Sequence, residues 1–311
     1  MSSSFYQRFS GAKTFRVLSL AVLLVAALLL RLHHLDYESL HMDELRQVSY
    51  YEQSFRRIID LAASQQQPPL DYWIGHVMAG VSASDYAVRL PAALFGTGLL
   101  LFFILFVSRY CSWFTALGFG AVMALLPYQL YYSQEARPYA IAFFFFMVFI
   151  WSLDKYLYAS ETRPRFCLLV FLSCLGLLFS RTLSPLVVVS VVLALLCGWL
   201  LVRLLRQGFK TVGPWQRFVS AAGVIVLALL IYLPFLRNIL SLGGRYTVGR
   251  ADSFNREVLL NGFRDFDLWP LWKAFAVQTE PLTIVLALLV LLAPLLILSR
   301  RKREPGLVAI L

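Results

Sequence analysis

The sequence predicts an all-α polytopic membrane protein, a bundle of about eight transmembrane helices with almost no soluble part of its own. Of its 311 residues 59% are hydrophobic and only 14% charged, with a mean hydropathy of +0.71. A soluble globular chain carries about 25% charged residues. The apolar residues also fall in long blocks rather than at periods of 3.6 or 2, the pattern of bilayer spans. The placement of the basic residues then orients those spans.

Only segments that satisfy their own backbone hydrogen bonds cross a bilayer, so the blocks read as helices. In order they lie at 17–32, 90–107, 113–132, 139–158, 166–179, 186–202, 218–236 and 281–298, and the tail 303–311 reads as the opening of a further span. The shortest fall below the roughly 20 residues a span needs, so the flanking Arg16 and Arg31 are expected to snorkel toward the headgroups. Lys13 and Arg16 ahead of the first block suit a signal peptide, but no small-x-small cleavage pattern follows, and seven further spans mark it as a retained anchor. Cys111, Cys167, Cys174 and Cys197 lie in or at the ends of spans, with the spacing of neither a metal site nor a disulfide framework.

With the N-terminus cytoplasmic, the inside segments hold 15 of the 28 basic residues against three acids, Asp154, Glu161 and Glu304. The outside segments hold the other 13 against 14 acids. The net charge of +11 thus divides into a cytoplasmic +12 and an external −1, as the positive-inside rule requires. A basic face beside anionic lipid accounts for the high isoelectric point, and nucleic acid is not an expected partner. Two long external loops result, 33–89 and 237–280, with tight external turns at 133–138 and 180–185.

Within the first loop, residues 43–63 place Leu45, Val48, Tyr51, Phe55, Ile58, Ile59 and Ala62 on one helical stripe with charges opposite. Residues 70–81 do the same with Leu70, Trp73, Ile74, Val77, Met78 and Val81, after a break at Pro68 and Pro69. Neither is apolar enough to span, so both read as amphipathic helices in the membrane interface, the second started by its prolines. Asp43 and Glu44 suit a helix start or a catalytic role. His33, His34, His41 and His76 all fall here, but no two have the i, i+4 spacing of a helical metal pair.

Four segments form an ordered series: HMDELRQ (41–47), QQPPLDYW (66–73), YAVRLPAALFG (86–96) and YYSQEARPYA (131–140). Over about 17–235 the chain resembles the membrane glycosyltransferases that use polyprenyl-phosphate-linked sugars, a group that includes the protein mannosyltransferases and the lipid A aminoarabinose transferases. The resemblance implies a GT-C fold forming one transmembrane domain. It also implies inverting transfer of a sugar from a polyprenyl-phosphate donor to a glycan, lipid or protein acceptor, on the external face of a bacterial inner (plasma) membrane.

The chemistry of such a transfer explains the residue types. The acceptor hydroxyl needs a carboxylate to orient it and take its proton, and the departing lipid phosphate needs positive charge or a divalent cation, Mg or Mn. Asp43 matches the family's first-loop acid and is the expected base, with Glu44 as its neighbour. Expected substrate contacts are Gln67, Arg89, Glu135, Arg137, Tyr139 and Arg181, with Arg245 and Arg250 in the second loop. Position 67 is Gln where many relatives have His, so the metal ligands stay unassigned. A transporter or flippase of a lipid-linked sugar, without chemistry, is the alternative; the spans look uninterrupted and the charges sit at their ends, which is not the transporter pattern.

Overall fold

A computed structural model describes residues 3–246 except 66, 83, 159–163 and 208–212. Among the described residues there are eleven helices and no strand. They are α1 (Ser3–Leu32), α2 (Met42–Val48), α3 (Phe55–Ser64), α4 (Leu70–Val81), α5 (Asp85–Val107) and α6 (Trp113–Leu125), then α7 (Pro127–Tyr132), α8 (Tyr139–Tyr158), α9 (Pro164–Ser180), α10 (Leu183–Gln207) and α11 (Gly213–Tyr246).

Four of these are long and apolar enough to cross a membrane: Lys13–Leu32 of α1, Asp85–Val107, Tyr139–Tyr158 and Gln216–Arg237 of α11. This points to an integral membrane protein. Three of the other expected spans appear as shorter apolar helices, at Trp113–Leu125, Pro164–Ser180 and Ser184–Leu200. The 17 residues of α9 rise about 26 Å at 1.5 Å per residue, just short of a ~30 Å hydrocarbon core. The block at 281–298 lies outside the described residues, as do Arg250 and most of the second loop.

The structure corrects several sequence expectations. The block 113–132 is two helices, not one. Leu126 is extended (φ −60°, ψ 124°) because the residue before a proline is pushed out of the helical region; Pro127 then opens α7 at a first-turn position. The helix expected over 43–63 is also two, separated by a turn, with Ser54 capping α3 through a bond from the Arg57 amide. The interfacial stripe breaks with it: Tyr51, Ile58 and Ala62 are buried while Leu45 and Phe55 are exposed. By contrast α4 starts and stops where the sequence placed it.

Loop boundaries shift as well. Helix α5 begins at Asp85, capped by Ser84, so Arg89 sits on a spanning helix rather than in the first loop. Helix α11 runs on to Tyr246, which puts Arg245 on its last turn, not in a loop. Arg31, expected to snorkel, is fully buried; its Nη1 donates to the Ala27 carbonyl at 2.9 Å, while Nε and Nη2 have no partner among the described residues. Arg16 is exposed.

The main core lies where α8 packs on α5, α9 and α11, around Phe149, Val170, Cys174, Leu178, Ile225 and Tyr232. Lipid tails are as apolar as these side chains, so close packing rather than removal from water holds such helices together. Gly176 shows how: a Cβ there would run into the ring of Phe145, so the α8–α9 approach depends on its absence. A second, smaller cluster joins Tyr51, Ile58, Ala62, Tyr72, Val88 and Ala136. It fixes the first-loop helices against α5 and the turn before α8, which is where the candidate site forms.

Candidate functional site

Helix α1 ends in a sharp reversal, with His34 in the left-handed region (φ 55°), unusual for a non-glycine residue. The segment that follows is tied to α5 by Arg89. The guanidinium donates from Nη1 to the carbonyls of Leu35 (3.0 Å) and Glu38 (2.7 Å) and from Nη2 to that of Ser39 (3.4 Å). Its Nε and Nη2 reach Glu44 Oε1 and Oε2 at 3.1 and 2.7 Å, the planar two-point pairing only arginine makes. All its donors are spent inside the protein, so Arg89 is occupied in holding the loop.

Glu44 is equally committed. Besides Arg89, it accepts from the His41 amide at 3.0 Å and the Ala136 amide at 2.7 Å, and only 1% of it is exposed. Burial alone would raise its pKa; the Arg89 pairing and the two amide bonds outweigh this and hold it below the usual carboxylate range. One carboxylate thereby joins α2, α5 and the 133–138 turn.

Asp43, one position earlier, points elsewhere: its side chain is 67% exposed, and Oδ2 lies 3.4 Å from Arg137 Nη2. Adjacent helical residues project about 100° apart, so one acid of the pair faces in and the other out. Arg137 also lies 5.8 Å from the Tyr139 ring centroid, and Arg181, from the turn between α9 and α10, lies 4.5 Å from the same centroid. Two guanidinium groups far apart in sequence therefore share one ring, a cation–π arrangement that holds like charges close. The fold thus brings the predicted site residues together in two groups, Glu44 with Arg89 inside and Asp43 with Arg137, Tyr139 and Arg181 beside them.

Others are placed differently. Glu135 is half-buried; burial raises its pKa, the bond from Tyr131 opposes that, and the Glu44 charge adds to the rise. Gln67 bonds within the loop, its amide to the Ala62 carbonyl at 2.9 Å and its Oε1 to the Tyr72 hydroxyl at 3.4 Å. Among the described residues no three of His, Cys, Asp and Glu gather as metal ligands. Glu44 is filled by Arg89 and amides, and Asp43 faces a cation, so these acids do not fit a divalent ion.

Asp71 was not foreseen. It is 6% exposed, accepts from Gln47 Nε2, and lines a narrow cleft with Tyr51, Gly75, Val88, Ala136 and Arg137. Burial raises its pKa to about 7, opposed by the Gln47 bond and the Arg137 charge. Its sequence signal was an acid beside the apolar stripe of α4, in the first turn, where a carboxylate ordinarily just complements the helix dipole.

Comparison with family models, curated proteins and solved structures finds no match to this chain.

Proposed function

We propose that this chain is an inverting membrane glycosyltransferase that moves a sugar from a polyprenyl-phosphate donor to an acceptor hydroxyl on the extracytoplasmic face of a bacterial inner membrane. In this reading it is a GT-C-like bundle of about eight spans with its N-terminus in the cytoplasm. The observation that carries it is the open carboxylate of Asp43 beside Arg137, with Arg181 on the far end of the same arginine–tyrosine cluster. The ordered motif series supports it.

Asp43 takes the proton of the acceptor hydroxyl as its oxygen attacks the anomeric carbon from the face opposite the phosphate. The anomeric C–O bond breaks, and the electron pair leaves with the lipid phosphate, whose charge Arg137 and Arg181 meet. Glu44 and Arg89 set the register between base and cations without touching substrate. Purified protein in nanodiscs, given a radiolabelled polyprenyl-phosphate sugar and candidate acceptors, tests the reading. Labelled acceptor in the wild type but not in Asp43→Asn supports it; donor bound and never consumed by any acceptor speaks for the alternative.

That alternative, a flippase for a lipid-linked sugar, draws on two observations. Helix α6 is interrupted before α7, and Arg31 is buried nearby in the fold with two unpartnered nitrogens, features that transport proteins use at their binding sites. Accelerated transbilayer movement of a fluorescent lipid-linked sugar in proteoliposomes, undiminished in Asp43→Asn, distinguishes it.

A further inference from the structure

Asp71 is the buried ionisable side chain that the proposed transfer leaves without a task. It lines the same cleft as Arg137, and that cleft has room for about one water molecule, too little for a sugar. The acid therefore acts on the site through charge rather than contact. We propose that Asp71 is a positioning residue that sets how strongly Arg137 holds the donor phosphate: neutral, it leaves the guanidinium charge to the phosphate; ionised, it competes for it. This rests on the reading of Arg137 as a phosphate-binding residue.

Three observations support it. The carboxyl is nearly excluded from solvent, so bulk water and salt do little to screen it. Gln47 presents a buried Oε1 with no partner among the described residues, and the orientation of an amide is assigned from its bonding. Turned over, the amide offers its oxygen instead of its nitrogen to a protonated Asp71, so Gln47 can bond either form of the acid. The position of its pKa, near neutrality, makes both forms accessible.

Two other acids share Arg137 with Asp71: Asp43, 3.4 Å away from the guanidinium on its exposed side, and the half-buried Glu135. Tyr51, Tyr72 and Arg137 lie around it, and burial keeps both phenols protonated at neutral pH. Glu44 on α2 and Arg89 on α5 neutralise each other. On α2, Arg46 is exposed, as are Arg56, Arg57 and Asp60 on α3, and His76 on α4 is held against the Tyr51 carbonyl at 2.5 Å.

The test uses the full chain in zwitterionic nanodiscs and an isoprenyl methyl phosphodiester, whose single negative charge does not change across the range. Binding is measured at about pH 6 and about pH 8, either side of a group titrating near 7. Wild-type affinity is expected to fall roughly five- to eightfold over that step, the part of a ten- to thirtyfold charge effect, for an assumed separation of about 8 Å at an effective dielectric of 20–30, that the two pH values span. Asp71→Asn is expected to bind at both pH values as wild type does at the lower. Infrared spectra without ligand should show a protonated carboxyl band that disappears over the same step and is missing from Asp71→Asn. An unchanged pH slope in Asp71→Asn, with binding still lost in Arg137→Ala, overturns this proposal and leaves the phosphate reading intact. Absence of the protonated band at the lower pH also overturns it. No phosphodiester binding at either pH, in folded wild-type protein, overturns both.

Discussion

Glu44 and Arg89, 45 positions apart, meet in a two-point ion pair with both side chains almost wholly buried. Such a pair contributes modestly when intact and costs heavily when halved, because the surviving charge is left buried without its partner. Arg89→Ala or Glu44→Ala is expected to destabilise the protein by about 3–5 kcal/mol, read as a lower melting temperature in detergent. Glu44→Gln, with Arg89 still able to donate, should cost less than either. Equal melting temperatures for wild type and Arg89→Ala would show that the pair does not hold the loop.

Asp43→Asn should behave in the opposite way. The side chain is exposed, so stability should change by under about 0.5 kcal/mol, while loss of a general base removes about 10²–10⁴-fold of turnover. Donor affinity should hardly change. Transfer by purified Asp43→Asn at near the wild-type rate would remove it as the base.

The two arginines on Tyr139 give a graded prediction. Arg137→Lys retains charge but loses the planar contact, and is expected to raise KM for the donor about tenfold or more, with Arg181→Ala acting in the same direction. Tyr139→Leu should impair donor binding too, since both cations lose the ring that places them. A donor KM unaltered in Arg137→Ala would exclude that residue from phosphate binding.

Stability should also depend on pH through Asp71. An acid that ionises less readily in the folded chain than in the unfolded one leaves the fold most stable where both states are protonated. Stability then falls as pH rises from about 4 to about 7 and is level beyond, by at most about 4 kcal/mol over that window. Asp71→Asn should remove this slope in melting temperature, and a slope preserved in the variant would assign it to other groups.

Two glycines of α4 offer a paired test of packing. A methyl at Gly75 would collide with the Tyr51 ring, whereas one at Gly80 meets nothing within 4 Å. Gly75→Ala should cost about 1–3 kcal/mol, and Gly80→Ala should be neutral or stabilise by up to about 1 kcal/mol. Similar melting temperatures for the two variants would count against the Tyr51–Gly75 contact.

The parts legible in the sequence were those governed by neighbours along the chain. Helix α4 was readable because Pro68 and Pro69 start it and its apolar spacing persists to Val81. The turn at 133–138 was readable because polar residues interrupt two apolar blocks. The division of 43–63 was hidden because the apolar stripe stays in phase through 49–54, although Ser54 is a side chain able to cap a new helix. The burial of Arg31 depends on α5 and the turn at Ser133, which approach the Arg31 guanidinium closely at Gly96, and no local pattern announces that. Asp71 was missed for a similar reason: its surroundings come from three separate segments. Lys and Arg counts gave an orientation that a cysteine at Ser64, labelled from outside by an impermeant thiol reagent, and one at Gln207, left unlabelled, would test.

The junction at Glu44 also bears on how the chain is made. Its partners arrive late: Arg89 is synthesised 45 residues after it and the Ala136 amide 92 residues after it. At about 5–20 residues per second, the carboxylate waits roughly 2–9 seconds for its guanidinium and 5–18 seconds for the amide. Until Arg89 and Ala136 are made, Glu44 has neither partner and nothing ties residues 35–39 to α5. Ribosome stalling downstream of Arg89, compared with stalling downstream of Ala136, should therefore give nascent chains that differ in protease sensitivity between Leu35 and Glu44. Glu44 gains its partners in the order in which synthesis supplies them.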